Sequence, residues 1–219
     1  MSTPLPTQIK ALYHTYRNTP SISTQSLFIS PTCLQICRPI PSFSATSREQ
    51  IIQYSKDAQC GALSLDSNSP PNEKHGTEKG KTNVRDSADG ESIANEQGEK
   101  PQAMLVYTIR QTVPSDLVWD MSDAITSPIE MSPKTLETKA KNEDWIGMRV
   151  DLWDGGPSES SLLVKVNYWW RWEAIREGDE TEGDADGYGW RQCLHDIVYL
   201  GPKDGTEREE RLKVFSRVF

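Results

Sequence analysis

Residues 162–174 read LLVKVNYWWRWEA, a run of period-two polarity that holds three tryptophans, Trp169, Trp170 and Trp172. Such alternation describes a strand, whose successive side chains point to opposite faces. Leu162, Val164, Val166, Tyr168, Trp170 and Trp172 form one apolar set, while Lys165, Asn167, Trp169, Arg171 and Glu173 stand on the other side. A face this apolar must be covered by another layer of structure. Trp169 is different, because it stands among polar neighbours. A large indole on a polar face marks an interface. The pattern therefore predicts Tyr168, Trp170 and Trp172 facing inward, and Trp169 facing a second copy of the chain across the outer sheet face.

Period two recurs in MLVYTIRQTV (104–113), in DWIGMRVDLWDGG and in WRQCLHDIVYLGP, and the Asp-Gly-Gly after Trp153 opens a hairpin loop. Helical spacing marks PTQIKALYHTYRN, where Ile9, Leu12, Tyr13 and Tyr16 share a side, Thr7 is placed to cap and Pro20 to stop. A second helix is expected in TSREQIIQYSKDAQCG, with Ser47 as cap, Gln50 completing a capping box and Gly61 ending it. A third, SPKTLETKAKN, has Ser132 as cap and Pro133 at its first position. Prolines 31, 39 and 41 punctuate LFISPTCLQICRPIPSF, so a short helix or strand interrupted by turns is expected there. The final RLKVFSRVF is read as a strand closing the sheet, although its apolar spacing also suits a helix.

One long segment departs from both periods. Residues 64–103 lack aromatic side chains and space their few large aliphatics singly, at Leu65, Val84 and Ile93. Such a stretch buries too little apolar surface to offset about 1–2 kcal/mol of backbone entropy per residue. It is expected to be a disordered polar insertion, leaving 1–63 and 104–219 as one domain. The chain's net charge of −8 argues against a nucleic-acid surface. No stretch approaches the roughly 18 consecutive apolar residues of a membrane span. The N-terminus lacks a basic region followed by an apolar one, so a cytoplasmic or nuclear rather than secreted protein is expected. Cys33, Cys37, Cys60 and Cys193 have no metal-ligand spacing and read as free thiols of a reducing compartment.

The order of elements is helix, proline-rich crossover, helix, insertion, then antiparallel strands linked by hairpins. Together with Tyr13 and His14 on the opening helix, the SREQIIQY helix and the WRQCLHDIVYLGPKDG hairpin strand, it resembles the nuclear transport factor 2-like superfamily and, within it, the SnoaL-like branch. It is similar to fungal members of that branch without an assigned activity. The resemblance implies an α+β fold, a cone-shaped curved antiparallel sheet packed against N-terminal helices. It also implies a cavity in the cone in which relatives run cyclase, dehydratase or isomerase chemistry without a cofactor, through proton transfer.

Proton transfer needs a histidine or carboxylate held in a dry pocket. Neighbours His195 and Asp196 on a strand point to opposite faces. If Leu194 and Val198 face inward, Asp196 does too, and His195 shares the outer face with Arg191. Asp196 and His14 are thus the candidate acid–base residues, with Tyr13, Tyr168, Trp170 and Trp172 as the ligand wall. The loop EGDETEGDADGYG holds six carboxylates between 177 and 186, but Cys193 stands where a calcium loop needs its bidentate Glu, so no metal is expected. No phosphate loop, dinucleotide or hydrolase motif is present, and no cofactor is expected. Two functions remain open. One is binding of a small apolar molecule, with or without acid–base turnover; the other is a non-catalytic dimeric scaffold or interaction module.

Overall fold

In chain order the elements are helices α1 (Leu5–Asn18) and α2 (Ile22–Gln25), strand β1 (Ile29–Cys37), helix α3 (Arg48–Gln59), strand β2 (Met104–Gln111), helices α4 (Asp123–Thr126) and α5 (Pro133–Asn142), and strands β3 (Ile146–Asp154), β4 (Leu162–Ala174), β5 (Tyr188–Pro202) and β6 (Phe215–Ser216). This computed structural model describes residues 4–59, 104–116, 119, 121–154, 162–181, 183–205 and 215–216. The insertion expected at 64–103 and Cys60 lie outside them. Among the described residues no helix is long and apolar enough to cross a membrane.

The fold is α+β, with a curved, open sheet in the order β1-β5-β4-β3-β2-β6. Strands β2 to β5 pair antiparallel as expected, and β6 pairs with β2 at the far edge rather than closing the sheet. The sheet is nevertheless mixed, because β1 lies parallel to β5. A parallel pair requires a long crossover, and everything between β1 and β5 supplies it. The second correction concerns Pro31, which lies within β1 instead of breaking it. Strand β1 is a sheet edge, and its register with β5 jumps between Ile29 and Leu34. Proline is tolerated in such an irregular edge stretch because no ladder hydrogen bond is demanded of it.

Helix ends follow local chemistry. Helix α1 starts two residues before Thr7, with Pro4 at the cap position and no side-chain cap. Ser132 Oγ accepts the Thr135 N–H at the start of α5, and Pro133 occupies the first position. At α3, Ser47 Oγ accepts from the Gln50 N–H, while the Gln50 side chain accepts from the N–H of Thr46, one residue upstream of the expected reciprocal bond.

Both faces of β4 are buried. On one, α1 brings Ile9, Tyr13 and Tyr16 against Tyr107 and Ile109 of β2, Met148 and Val150 of β3, and Val166, Tyr168 and Trp170 of β4. On the other, Met121, Ile129, Leu136 and Trp145 cover Trp169, Cys193 and Leu194. Trp169 therefore faces away from α1 as expected, but it is only 6% exposed. Its cover comes from its own chain, with the Trp119 and Trp145 rings 5.2 and 6.4 Å away. Gly147 is its cross-strand partner, and a β-carbon there would meet the Trp169 ring at 3.1 Å and collide with Thr112. Trp172 shares the face of Trp170 yet stays 46% exposed, stacked on Tyr188.

Truncating a buried indole removes its contacts and leaves a cavity. Trp169→Ala is expected to cost about 3–5 kcal/mol, read as a lower midpoint in urea unfolding. An unchanged midpoint would show that the layer over Trp169 adds nothing to the domain's stability.

Candidate functional site

Successive turns of α1 place Tyr13, His14, Tyr16 and Arg17 at spacings of three and four residues, which brings them to neighbouring positions on the sheet-facing side. Tyr13 has no exposed surface, and its ring lies 5.3 Å from that of Tyr168 and 5.4 Å from that of Tyr107. His14 Nδ1 and the Tyr107 hydroxyl are 2.5 Å apart. Arg17 donates from Nε to the Tyr13 hydroxyl at 2.7 Å and from Nη2 to the Tyr168 hydroxyl at 3.1 Å. Its guanidinium carbon also sits 5.3 and 5.2 Å from the centroids of Tyr13 and Tyr16, within cation–π range. Among the described residues no carboxylate pairs with Arg17. A cation enclosed this way is held by neutral phenols alone: burial pushes Tyr168 and Tyr107 up to about 12 and Tyr13 well above its ordinary value.

The network continues into β5. His195 packs edge-on against Tyr168 at 4.8 Å, and its Nε2 lies 2.7 Å from Gln192 Oε1. With the amide so oriented, Nε2 carries the proton and donates it to Gln192. Burial, with a smaller contribution from the Arg17 charge, lowers the pKa of His195 to about 3. Two buried donors beside it, Gln192 Nε2 and Trp170 Nε1, have no acceptor. These two residues are register partners across β4 and β5.

The two strand neighbours proposed from sequence are thus exchanged. His195 is on the α1 side, and Asp196 is on the face of Trp169, opposite His14. The premise about Leu194 fails: it packs in the layer around Trp169, and Asp196, two residues further along, shares its face. A bulge in which Cys193 is the extra residue, with Trp169 paired to Leu194 and Trp170 to Gln192, also puts His195 and Arg191 on opposite faces. Asp196 accepts two bonds from Arg38, at 2.8 and 2.7 Å, and a third from Asn167 at 3.3 Å. Its oxygens are occupied in a buried ion pair. The structure therefore gathers Tyr13, His14, Tyr168 and Trp170 on one face, excludes Asp196, and leaves Trp172 at an exposed margin. Arg17, Tyr107, Gln192 and His195 belong to the site without having been proposed. The i, i+4 spacing of Tyr13 and Arg17 was the one available signal.

Other expectations resolve more simply. Cys33, Cys37 and Cys193 are buried free thiols, and burial raises the pKa of each. In the acidic loop, both oxygens of Asp184 receive the Arg191 guanidinium, so that carboxylate is already paired. Among the described residues no cluster of three or more potential metal ligands occurs.

A family model described as a SnoaL-like domain matches residues 1–216. No match was found among curated proteins or among solved structures.

A histidine buried in neutral form opposes acidification. Below pH 6.5 the unfolded chain binds a proton at residue 195 that the folded chain refuses, until pH nears 3, so stability falls as pH falls through that window. Between pH 6.5 and 4.5 this one residue is expected to remove about 2–3 kcal/mol. Urea titrations of wild type and His195→Gln should show a shallower loss in the variant. Equal slopes would mean that His195 titrates normally in the folded state.

Proposed function

The chain belongs to the SnoaL-like domain family of the nuclear transport factor 2-like superfamily, and on that premise we propose that its α1-covered face binds a small, mainly apolar molecule carrying an anionic oxygen. The fold itself is of a type that serves ligand binding and cyclase- or isomerase-type chemistry. The observation that carries the reading is Arg17, a charge in an aromatic setting whose polar partners are two phenols. A half-buried cation without a counter-ion is only partly compensated, and a carboxylate or enolate oxygen from a ligand supplies what the protein omits. Tyr13, Tyr168 and Trp170 provide the apolar wall, and the unpaired N–H groups of Trp170 and Gln192 offer further donors to a ligand oxygen.

Turnover without a cofactor falls to His14 in this reading. His195, held neutral and deep, is too weak a base and positions Tyr168 instead. His14 is only half-buried and shares a hydrogen bond with Tyr107. It takes a proton from a carbon beside a carbonyl whose oxygen Arg17 stabilises, and returns that proton to another carbon. The substrate is isomerised with no change of oxidation state. A second reading, a non-catalytic scaffold or interaction module, is favoured by the packing of the same face, where Tyr13, Met148 and Trp170 have no exposed surface.

Thermal-shift titration with cinnamate and with its neutral amide separates the two readings. Binding at Arg17 predicts that the acid is preferred by about tenfold, a difference near 1.4 kcal/mol, and that Arg17→Met abolishes the preference while leaving a folded protein. If a panel of aromatic and medium-chain carboxylates produces no saturable shift, the scaffold reading stands. For an acid that binds, proton exchange from deuterated water into the carbon beside its carboxyl or carbonyl tests His14. His14→Ala should stop the exchange and change affinity by no more than about twofold.

A further inference from the structure

We infer that a second site, remote from Arg17 and on the opposite side of the sheet, binds a small tetrahedral oxyanion, phosphate or a phosphate monoester. It is a half-open cavity of about 180 Å³ where the start of β1, the end of β4 and the first turn of α3 meet. That volume is below the roughly 300 Å³ at which sites for drug-sized molecules begin, and it suits an ion or a single headgroup. Four arginines reach it, Arg48, Arg171, Arg176 and Arg191, against two carboxylates, Glu173 and Asp179.

Two of the arginines are already engaged. Arg191 makes a two-pronged pair with Asp184, and Arg171 binds Glu173, Glu143 and the hydroxyls of Ser30 and Thr32. The other two carry unused donors. Arg48 gives Nη2 to Asp179 at 2.7 Å, but its Nε is buried and has no acceptor. An unpaired guanidinium N–H in a buried position costs free energy that an incoming oxygen recovers. Arg176 lies near Asp179 and Glu49 and influences both, yet among the described residues it makes no hydrogen bond or close ion pair. The two wall carboxylates do not bar an anion, because Arg171 and Arg48 each neutralise one of them. A planar guanidinium fork is well matched to the edges of a tetrahedral oxyanion, and two forks from different elements grip it across the cavity.

The test is titration of the full chain with sodium phosphate against sodium chloride at matched ionic strength, read by thermal shift and confirmed by calorimetry. A saturable rise in melting temperature specific to phosphate, with a dissociation constant of about a millimolar or below, is expected. Arg176→Gln, a surface change with no bond to break, should weaken that response at least tenfold. Lys134→Gln, an equal charge loss at the start of α5 and outside the cavity lining, should leave it intact. Arg48→Lys, which keeps the charge but removes Nε–H, should weaken it as well. A chloride response equal to that of phosphate, or an unaltered response in Arg176→Gln, overturns the assignment. Cinnamate binding at Arg17 is unaffected by either result, so the two sites stand or fall separately.

Discussion

Everything in this domain is arranged around a strand that has no free face. Strand β4 carries alternate side chains into two separate cores, one closed by α1 and the other by the segment around Met121, Ile129, Leu136 and Trp145. Each face holds a fully or almost fully buried tryptophan, Trp170 on one and Trp169 on the other. Aromatic rings of this size bury on the order of 150–250 Å² each, so neither layer can leave without exposing a large part of the other's support. The close approach of Trp169 over Gly147 shows how tightly the second layer is seated. The dense aromatic content of residues 168–172 thus reflects burial on both sides of the strand.

Charge is handled differently on the two faces. Away from α1, Arg38 pairs with Asp196, Arg191 with Asp184, and Arg171 with both Glu173 and Glu143, while Arg176 has no such partner among the described residues. Such pairs specify geometry, and their removal from water is compensated by several hydrogen bonds. Under α1 a single cation is surrounded by tyrosines, and a histidine is kept neutral by its surroundings. Arg17 under α1 and Arg176 on the other side are the arginines left without a carboxylate among the described residues, and each proposed site is built on one of them.

Much of this was legible in the residues and some was not, for identifiable reasons. Period and caps locate α3, α5 and the strands, because the hydrophobic repeat and residues such as Ser132 act within one turn of chain. Tyr13, Tyr168 and Trp170 could be placed on the α1-covered face from sequence because each belongs to a regular repeat, whereas His14 was read only from its place between Tyr13 and Tyr16. The exchange of Asp196 and His195 was hidden because an apolar Leu194 suits either of two buried faces, and it lies in the layer around Trp169 rather than under α1. The cover over Trp169 was hidden too, since the short α4 and the turns beside it have weak periodicity and their apolar residues come together only in three dimensions. Arg17 stands in the last turn of α1, where a basic side chain by itself points to nothing beyond the helix end. Only the sheet, by presenting Tyr168, shows what it faces.

The parallel seat of β1 against β5 has a consequence for how the chain is made. Arg38 and Asp196, which clasp the two strands, are 158 positions apart. Long separation adds little to the equilibrium cost of closing the loop, which grows only as its logarithm. Its effect is on timing. At about 5–20 residues per second of synthesis, β1 waits roughly 8–30 s for its neighbour to be polymerised. During that interval β1, with Ile36 on it, has no strand to pair with, although α1 can already lie on β2, β3 and β4. The first strand of the chain is therefore among the last to take its place in the sheet.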